Sequence, residues 1–370
     1  MPSFALTKPK FSLTKPKLGP VVGLDIEAGS IAVTQVAVNG SVQVTASAIG
    51  ALEPGAFHEG EVLDPERLAA SLKAFFAEHK LSKRVRLGIG NQRLVVRTMR
   101  LPAIEDPKEM EAAVRFQAQE QVPMPLDQAV LEHQVVGGVP AEEGDSAQLD
   151  VVVVAARREM ISSFVEPIRR AGLDPVGVDL AAFGMIRALA GAEPHSSDIA
   201  EPGGQSPGAV LFCNLGDITN LAVARGRACL FTRVSHVGLD AMSASLVSSR
   251  GLIPGHVAQW LSYVGLEANV EELDGDPEVV AEARRTLEEG IDSLVDELRL
   301  SLDYYGAQES AVPVERIVLC GPGSAIAGVP AQMEARLGLP ISVSRPAALG
   351  GFDEAAAARL TVPFGLALED

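Results

Sequence analysis

The chain has 370 residues, 47% of them hydrophobic and 21% charged, with a net charge of −17. That length exceeds what one hydrophobic core supports, so two or three domains are expected, and the composition excludes a disordered chain. The acidic balance argues against nucleic acid as a partner, because a phosphate backbone demands a basic surface.

The first twenty residues, "MPSFALTKPKFSLTKPKLGP", run the other way, with Lys8, Lys10, Lys15 and Lys17 and no acid. They hold a doubled heptad whose prolines forbid a continuous helix, so residues 1–20 read as a flexible basic tail. The tail lacks the apolar core of a signal peptide, and no apolar stretch reaches the roughly 18 residues that cross a bilayer. A cytoplasmic protein is expected, with membrane association only through partners. Cys213, Cys229 and Cys320 sit apart in apolar runs, which suits buried thiols in a reducing compartment. The six histidines show no metal-ligand spacing.

From 21 to 50 the pattern is strand-like in three runs, "VVGLDI", "IAVTQVAV" and "SVQVTASAI", with turns at Ala28-Gly29 and Asn39-Gly40. Asp64-Pro65 and Asp106-Pro107 each read as an N-cap followed by proline in the first helical position. The second of these helices must stop before Pro123 and Pro125. Strands follow at "AVLEHQVVG" and "QLDVVVVAA", then a helix closed by Gly172, then "PVGVDL" running into another helix. Residues 191–208 are rich in Gly, Pro and Ser without periodicity and read as a linker. Beyond it, "AVLFCNLGDITNLAVARGRACLFTRVS" is again three strands. Leu287, Ile291, Leu294, Leu298, Leu302 and Tyr305 form one helical stripe, expected in a core. The strand "RIVLC" enters a Gly-x-Gly-Ser turn, Gly321 to Ser324.

"VGLDIEAGSIAVTQVAVNG" has an echo in "LFCNLGDITNLAVARGR". Asp25 falls opposite Asn214 and Ser30 opposite Thr219, which implies a duplicated hairpin and two related domains facing across a cleft. Such turns can cradle phosphate with backbone N–H groups and hydroxyls, and an acid at the strand end can hold Mg²⁺.

The order of these motifs resembles the actin-like ATPase superfamily, and within it the PilM-like family of type IV pilus assembly proteins. The carriers include "GLDIEAGSIAV", "RTMRLPAIEDPKEMEAAVRFQAQEQVPMPLDQAVLEHQVV", "LVDELRLSLDYY" and "GPGSAIAGVPAQMEARLG". The resemblance implies an α/β, bilobed actin-like (ribonuclease H-like, duplicated) fold with a small inserted subdomain of the FtsA/PilM type. The first lobe would take 21–92 and 177–190, the inserted subdomain 93–176, and the second lobe 209–250 and 310–370. Residues 251–309 would be the second lobe's helical subdomain.

It implies ATP with Mg between the lobes, bound weakly or as a structural ligand. Asp25, Gly29 and Ser30 match the first phosphate loop, and Asn214, Gly216, Asp217, Thr219 and Asn220 the second. Gly238 and Glu297 match positions facing ribose and base, and Gly321, Gly323 and Ser324 the adenosine loop. Asp25 and Asp179 are the candidate Mg ligands, Asp179 also the candidate catalytic acid. The implied function is a cytoplasmic scaffold, with other pilus components as partners. It docks the N-terminal tail of a PilN-like membrane protein in a groove near Gln121, Val122, Pro123 and Met124, and self-association stays open. Glu27, Ala32 and Asn214 depart from the family's loops, which counts against efficient hydrolysis. An active ATPase or phosphotransferase, and an FtsA-like division protein, are the alternatives.

Overall fold

The computed structural model describes residues 19–139, 147–190, 208–252, 254–308 and 311–368. The lysine-bearing heptads and the linker up to residue 207 lie outside the described residues.

The first lobe opens as an antiparallel meander of β1 (Val22–Ile26), β2 (Ser30–Val38) and β3 (Val42–Ala51). A short hairpin, β4 (Phe57–His58) and β5 (Glu61–Val62), precedes α1 (Pro65–His79) and β6 (Arg84–Ile89), and β6 lies parallel to β1. The chain then leaves for a separate antiparallel sheet. It is built from β7 (Val95–Pro102), α2 (Pro107–Gln121), β8 (Ala129–Val139) and β9 (Gln148–Arg157), with β9 in the middle. It returns through α3 (Arg158–Arg170) and β10 (Asp174–Leu180), completing the order β10-β6-β1-β2-β3, and exits along α4 (Ala181–Leu189).

The second lobe repeats the path. Its meander is β11 (Ala209–Leu215), β12 (Thr219–Arg225) and β13 (Ala228–Ser235). Three helices follow: α5 (Leu239–Arg250), α6 (Pro254–Val264) and the long α7 (Pro277–Gly306). Then come β14 (Val314–Cys320), parallel to β11, α8 (Val329–Leu337), β15 (Ile341–Val343) and α9 (Glu354–Ala367). The order β15-β14-β11-β12-β13 is that of the first sheet, so the duplication inferred from the echoing hairpins is present. Both meanders turn on a glycine in the left-handed region, Gly40 (φ 79°) and Gly226 (φ 56°), where a side chain would be strained.

Local chemistry sets the helix starts. The Asp64 carboxylate accepts from the N–H groups of Glu66 (3.1 Å) and Arg67 (3.0 Å), and Asp106 from Lys108 (2.8 Å) and Glu109 (3.1 Å). The α7 stripe is core as expected: Leu287, Ile291, Leu294 and Leu298 have no exposed surface.

Two boundaries differ from the sequence reading. Met160, Phe164 and Ile168 of α3 pack into the first lobe's core with α1 and β6, so the small subdomain ends near Arg157 instead of at 176. Its own core holds Met99, Leu101, Met110, Val114 and Val151. The C-terminal helix, expected wholly within the second lobe, is buried from Ala357 onward in a core shared by both sheets and α4. A Cβ on Gly23 of β1 would overlap the Pro363 carbonyl, and one on Gly365 would overlap the Gly184 carbonyl of α4. Helix α9 therefore lies backbone-close to both β1 and α4, the helix that leads out of the first lobe.

Gly365→Ala is expected to cost about 1–3 kcal/mol by forcing α4 and α9 apart. Gly29→Ala, where nothing lies within 4 Å of the added carbon, is expected to be near neutral. Urea unfolding of the two variants checks the contrast.

Candidate functional site

The two duplicated hairpins meet tip to tip. The first closes at Ile26↔Ile31 and the second at Leu215↔Thr219. Asp25, Glu27, Ala28, Asn214, Asp217 and Asn220 line one cavity of about 30 Å³ between them. Asp25 and Asn214 thus occupy matching places on separate sheets and border the same space.

A residue that the motifs did not single out occupies the centre. Arg359 of α9, 7% exposed, pairs its guanidinium with the Asp25 carboxylate. Its Nε donates to Ser30 Oγ at 3.0 Å and lies 3.0 Å from Glu27 Oε2, and Nη2 reaches the Asp25 carbonyl at 3.4 Å. Three carboxylates, Asp25, Glu27 and Asp217, gather around one buried cation. Burial pushes the Glu27 carboxyl up to about 8, with Arg359 pulling it down and Asp217 and Asp25 adding to the rise. Asp217 is raised by burial and by Asp240, against Arg359 and the N–H groups of Ala28 and Gly29. Burial works against the Arg359 charge, but Glu27 and Asp25 outweigh it and raise its pKa.

Most of the remaining phosphate-loop candidates have internal partners; the exception is Asn220, whose buried Oδ1 has none and borders the same small cavity. Thr219 Oγ1 donates to the Val237 carbonyl at 2.6 Å. The N–H groups of Leu239 and Asp240, at the start of α5, are bonded to the carbonyls of Gly216 (2.9 Å) and Asp217 (3.2 Å). A Cβ on Gly238 would overlap the Asp217 carbonyl, and one on Gly216 the Glu27 carboxylate. Gly321 and Gly323 press on Asn214 and Leu215 in the same way, and Ser324 Oγ donates to the Gly321 carbonyl at 2.7 Å. Asn214 Oδ1 faces the Cys320 thiol at 3.7 Å. Ala32 is fully buried in the shared core.

Two candidates lie elsewhere. Glu297 on α7 pairs with Arg233 of β13 at 3.0 Å, and Arg233 lines a different cavity of about 270 Å³. Asp179 pairs with Gly88 of β6, one residue beyond the Leu24↔Leu87 pair of β1 and β6, so two strand spacings, about 10 Å, separate it from Asp25. Its carboxylate pairs with Arg187 and accepts from the Leu180 N–H at 2.8 Å, and it borders a third cavity with His133 and Phe183. The expected pair of Mg ligands is therefore not a pair: each acid is neutralised by its own arginine. Among the described residues no group of three or more His, Cys, Asp or Glu could hold a metal ion. The space between these residues, about 30 Å³, has room for water and none for a triphosphate while the two hairpin tips stay in contact.

Of the expected groove residues, Val122 is 6% exposed and packs in the small subdomain's core, with Met124 against it. Pro123 is exposed, and Gln121 lines a groove of about 590 Å³. That groove runs between β7, β13 and the end of α7, with Thr98, Arg100, Phe231 and Tyr304 on its walls.

The family model of type IV pilus assembly protein PilM matches residues 23–361. The chain belongs to the PilM family. A solved PilM–PilN type IV pilus biogenesis complex is similar at 27% identity, covering 94% of this chain and 98% of that one, with a TM-score of 0.74. The ethanolamine utilization protein EutJ from Carboxydothermus hydrogenoformans is similar at 13% identity, with 95% and 90% covered and a TM-score of 0.51. MreB5 of Spiroplasma citri, solved with AMPPNP, is similar at 13% identity, with 95% of each chain covered and a TM-score of 0.50. The bilobed actin-like fold of the PilM family is thus the fold of this chain.

Arg359→Met is expected to destabilise the chain by about 3–5 kcal/mol, because it strands buried carboxylates without their cation; urea unfolding measures it. Glu27 keeps its proton up to about pH 8 when folded, against an ordinary 4.5. Between those values the folded state binds the extra proton, so stability falls as pH rises, by at most about 1.4 kcal/mol per pH unit. Thermal unfolding across that window should show a shallower pH dependence for Glu27→Gln, and identical profiles would refute this account.

Proposed function

We propose that this chain is a scaffold of type IV pilus assembly that docks the N-terminal tail of a PilN-like inner-membrane protein. The observation that carries this reading is the likeness to the PilM–PilN complex over nearly the full length of both chains. The docking place we assign is the groove beside the small subdomain. Phe231 and Tyr304 lie there 5.9 Å apart between ring centres and tilted by 43°, and Thr98, Arg100 and Gln121 supply a polar margin. An apolar floor with a polar rim suits a short peptide carrying a few apolar anchors. The partner would bring the chain to the inner face of the cytoplasmic membrane, together with other pilus components; no described helix is long and apolar enough to cross a membrane.

In this reading the scaffold works without ATP. Asp25 is bound to Arg359 and Asp179 to Arg187, so neither acid is free to hold Mg or activate a nucleophile. That arrangement counts against the ATPase and phosphotransferase readings.

A synthetic peptide of the PilN-like tail, titrated into the chain, should bind saturably. Tyr304→Ala with Gln121→Ala should weaken it tenfold or more, about 1.4 kcal/mol. No binding by the unaltered chain would refute docking, and unchanged affinity in the double variant would refute this groove.

A further inference from the structure

The cleft that a nucleotide would bridge is already bridged by the chain itself. We infer that the turns at 27–30 and 216–219 clasp each other and hold the two lobes in one arrangement with no nucleotide. The inference concerns the cleft alone and stands whatever docks beside the small subdomain.

The clasp is reciprocal. The Glu27 carboxylate crosses from the first lobe to lie against Gly216, with the Asp217 N–H pulling its raised pKa down. The Asp217 carboxylate faces back toward the first turn, where it shares a small cavity with Ala28 and where the N–H groups of Ala28 and Gly29 pull its raised pKa down. In a phosphate loop such N–H groups point at the ligand's oxygens; here the oxygens belong to the opposite turn. Arg359 supplies the cation beside both acids. Its Nε meets Glu27 and Ser30 at 3.0 Å each, and α9 delivers it from the core shared by both lobes.

The rest of the cleft is closed in the same manner. The N–H groups of Leu239 and Asp240 at the start of α5 are bonded to the Gly216 and Asp217 carbonyls, so two of that helix start's donors are already taken. At the mouth, His58 Nδ1 lies 3.0 Å from Asp240, and His236 Nδ1 lies 3.7 Å from Glu59. Both pairs join the β4–β5 hairpin of the first lobe to the second. Gly60 of that hairpin is pressed on the Gly90 carbonyl, close to Ile218 of the second turn. A nucleotide would have to break these contacts before making its own, and its apparent affinity would fall by the fraction of molecules already open.

Hydrogen exchange of the full chain, with and without Mg-ATP, tests the clasp. Backbone amides of Ala28, Gly29 and Asp217 should exchange slowly in nucleotide-free protein, and Mg-ATP should leave their rates and the melting temperature unchanged. Asp217→Ala should speed exchange at Ala28 and Gly29 while leaving peptides of the small subdomain, such as 107–121, unaltered. Fast exchange at the two turns that slows on adding Mg-ATP would overturn the inference, as would unchanged exchange at Ala28 and Gly29 in the variant. If Asp217→Ala does not fold, the comparison on the unaltered chain decides alone.

Discussion

Arg359 carries a positive charge into a helix whose last two turns are buried on every side. Taking such a charge out of water costs several kcal/mol unless oxygens replace the lost hydration with good geometry. The planar, forked guanidinium fixes where those oxygens must stand. Asp25 takes one arm, Ser30 and Glu27 share Nε, and the Asp25 backbone lies beyond. Because α9 cannot slide without losing all of these, one ion cluster sets its register against the β1–β2 turn. Close backbone packing at Gly23, Gly184 and Gly365 then carries that register into the first sheet and α4.

The duplicated scaffold is symmetric in topology and asymmetric in charge. Asp25 and Asn214 hold equivalent places, yet only the first needs a cation, and only the first has Arg359 beside it. Asn214 is neutral and is satisfied by weak contact with the Cys320 thiol. The cluster is still over-supplied with acid, three carboxylates to one guanidinium. Burial first, and the neighbouring acids second, hold Glu27 and Asp217 above their ordinary values, while Asp25 takes the guanidinium.

What was legible in the sequence was legible because it is local or repeated. The caps at Asp64 and Asp106 act over two or three residues, and the α7 stripe follows from helical spacing. The echo of 25 in 214 needed only one chain read against itself. Arg359 was not found that way, since its partner is 334 positions off. A signal was nonetheless there: a single arginine inside "AAAARLTVPFGLAL". A buried charge requires a partner, and Asp25, an acid inside an apolar strand, was the other half of the same problem. Asp179 escaped for a related reason, because Arg187 lies two turns into the helix that follows. The family resemblance put Val122 in the groove, but helical spacing from Val114 and Ala118 puts it on the core face.

The clasp and the docking groove bear on each other through rigidity. The groove's walls come from the small subdomain and from two elements of the second lobe, and Thr98 Oγ1 already bonds across to the Leu230 carbonyl at 3.1 Å. A hinge opening between the lobes would alter the spacing of those walls. A peptide binding to such a hinge would have to pay for closing it, while one binding to walls already fixed loses only its own freedom. On the inferred clasp and the proposed docking, contacts within the chain would keep the walls of the groove at a fixed spacing, and closure of the cleft would not have to come from a bound ligand.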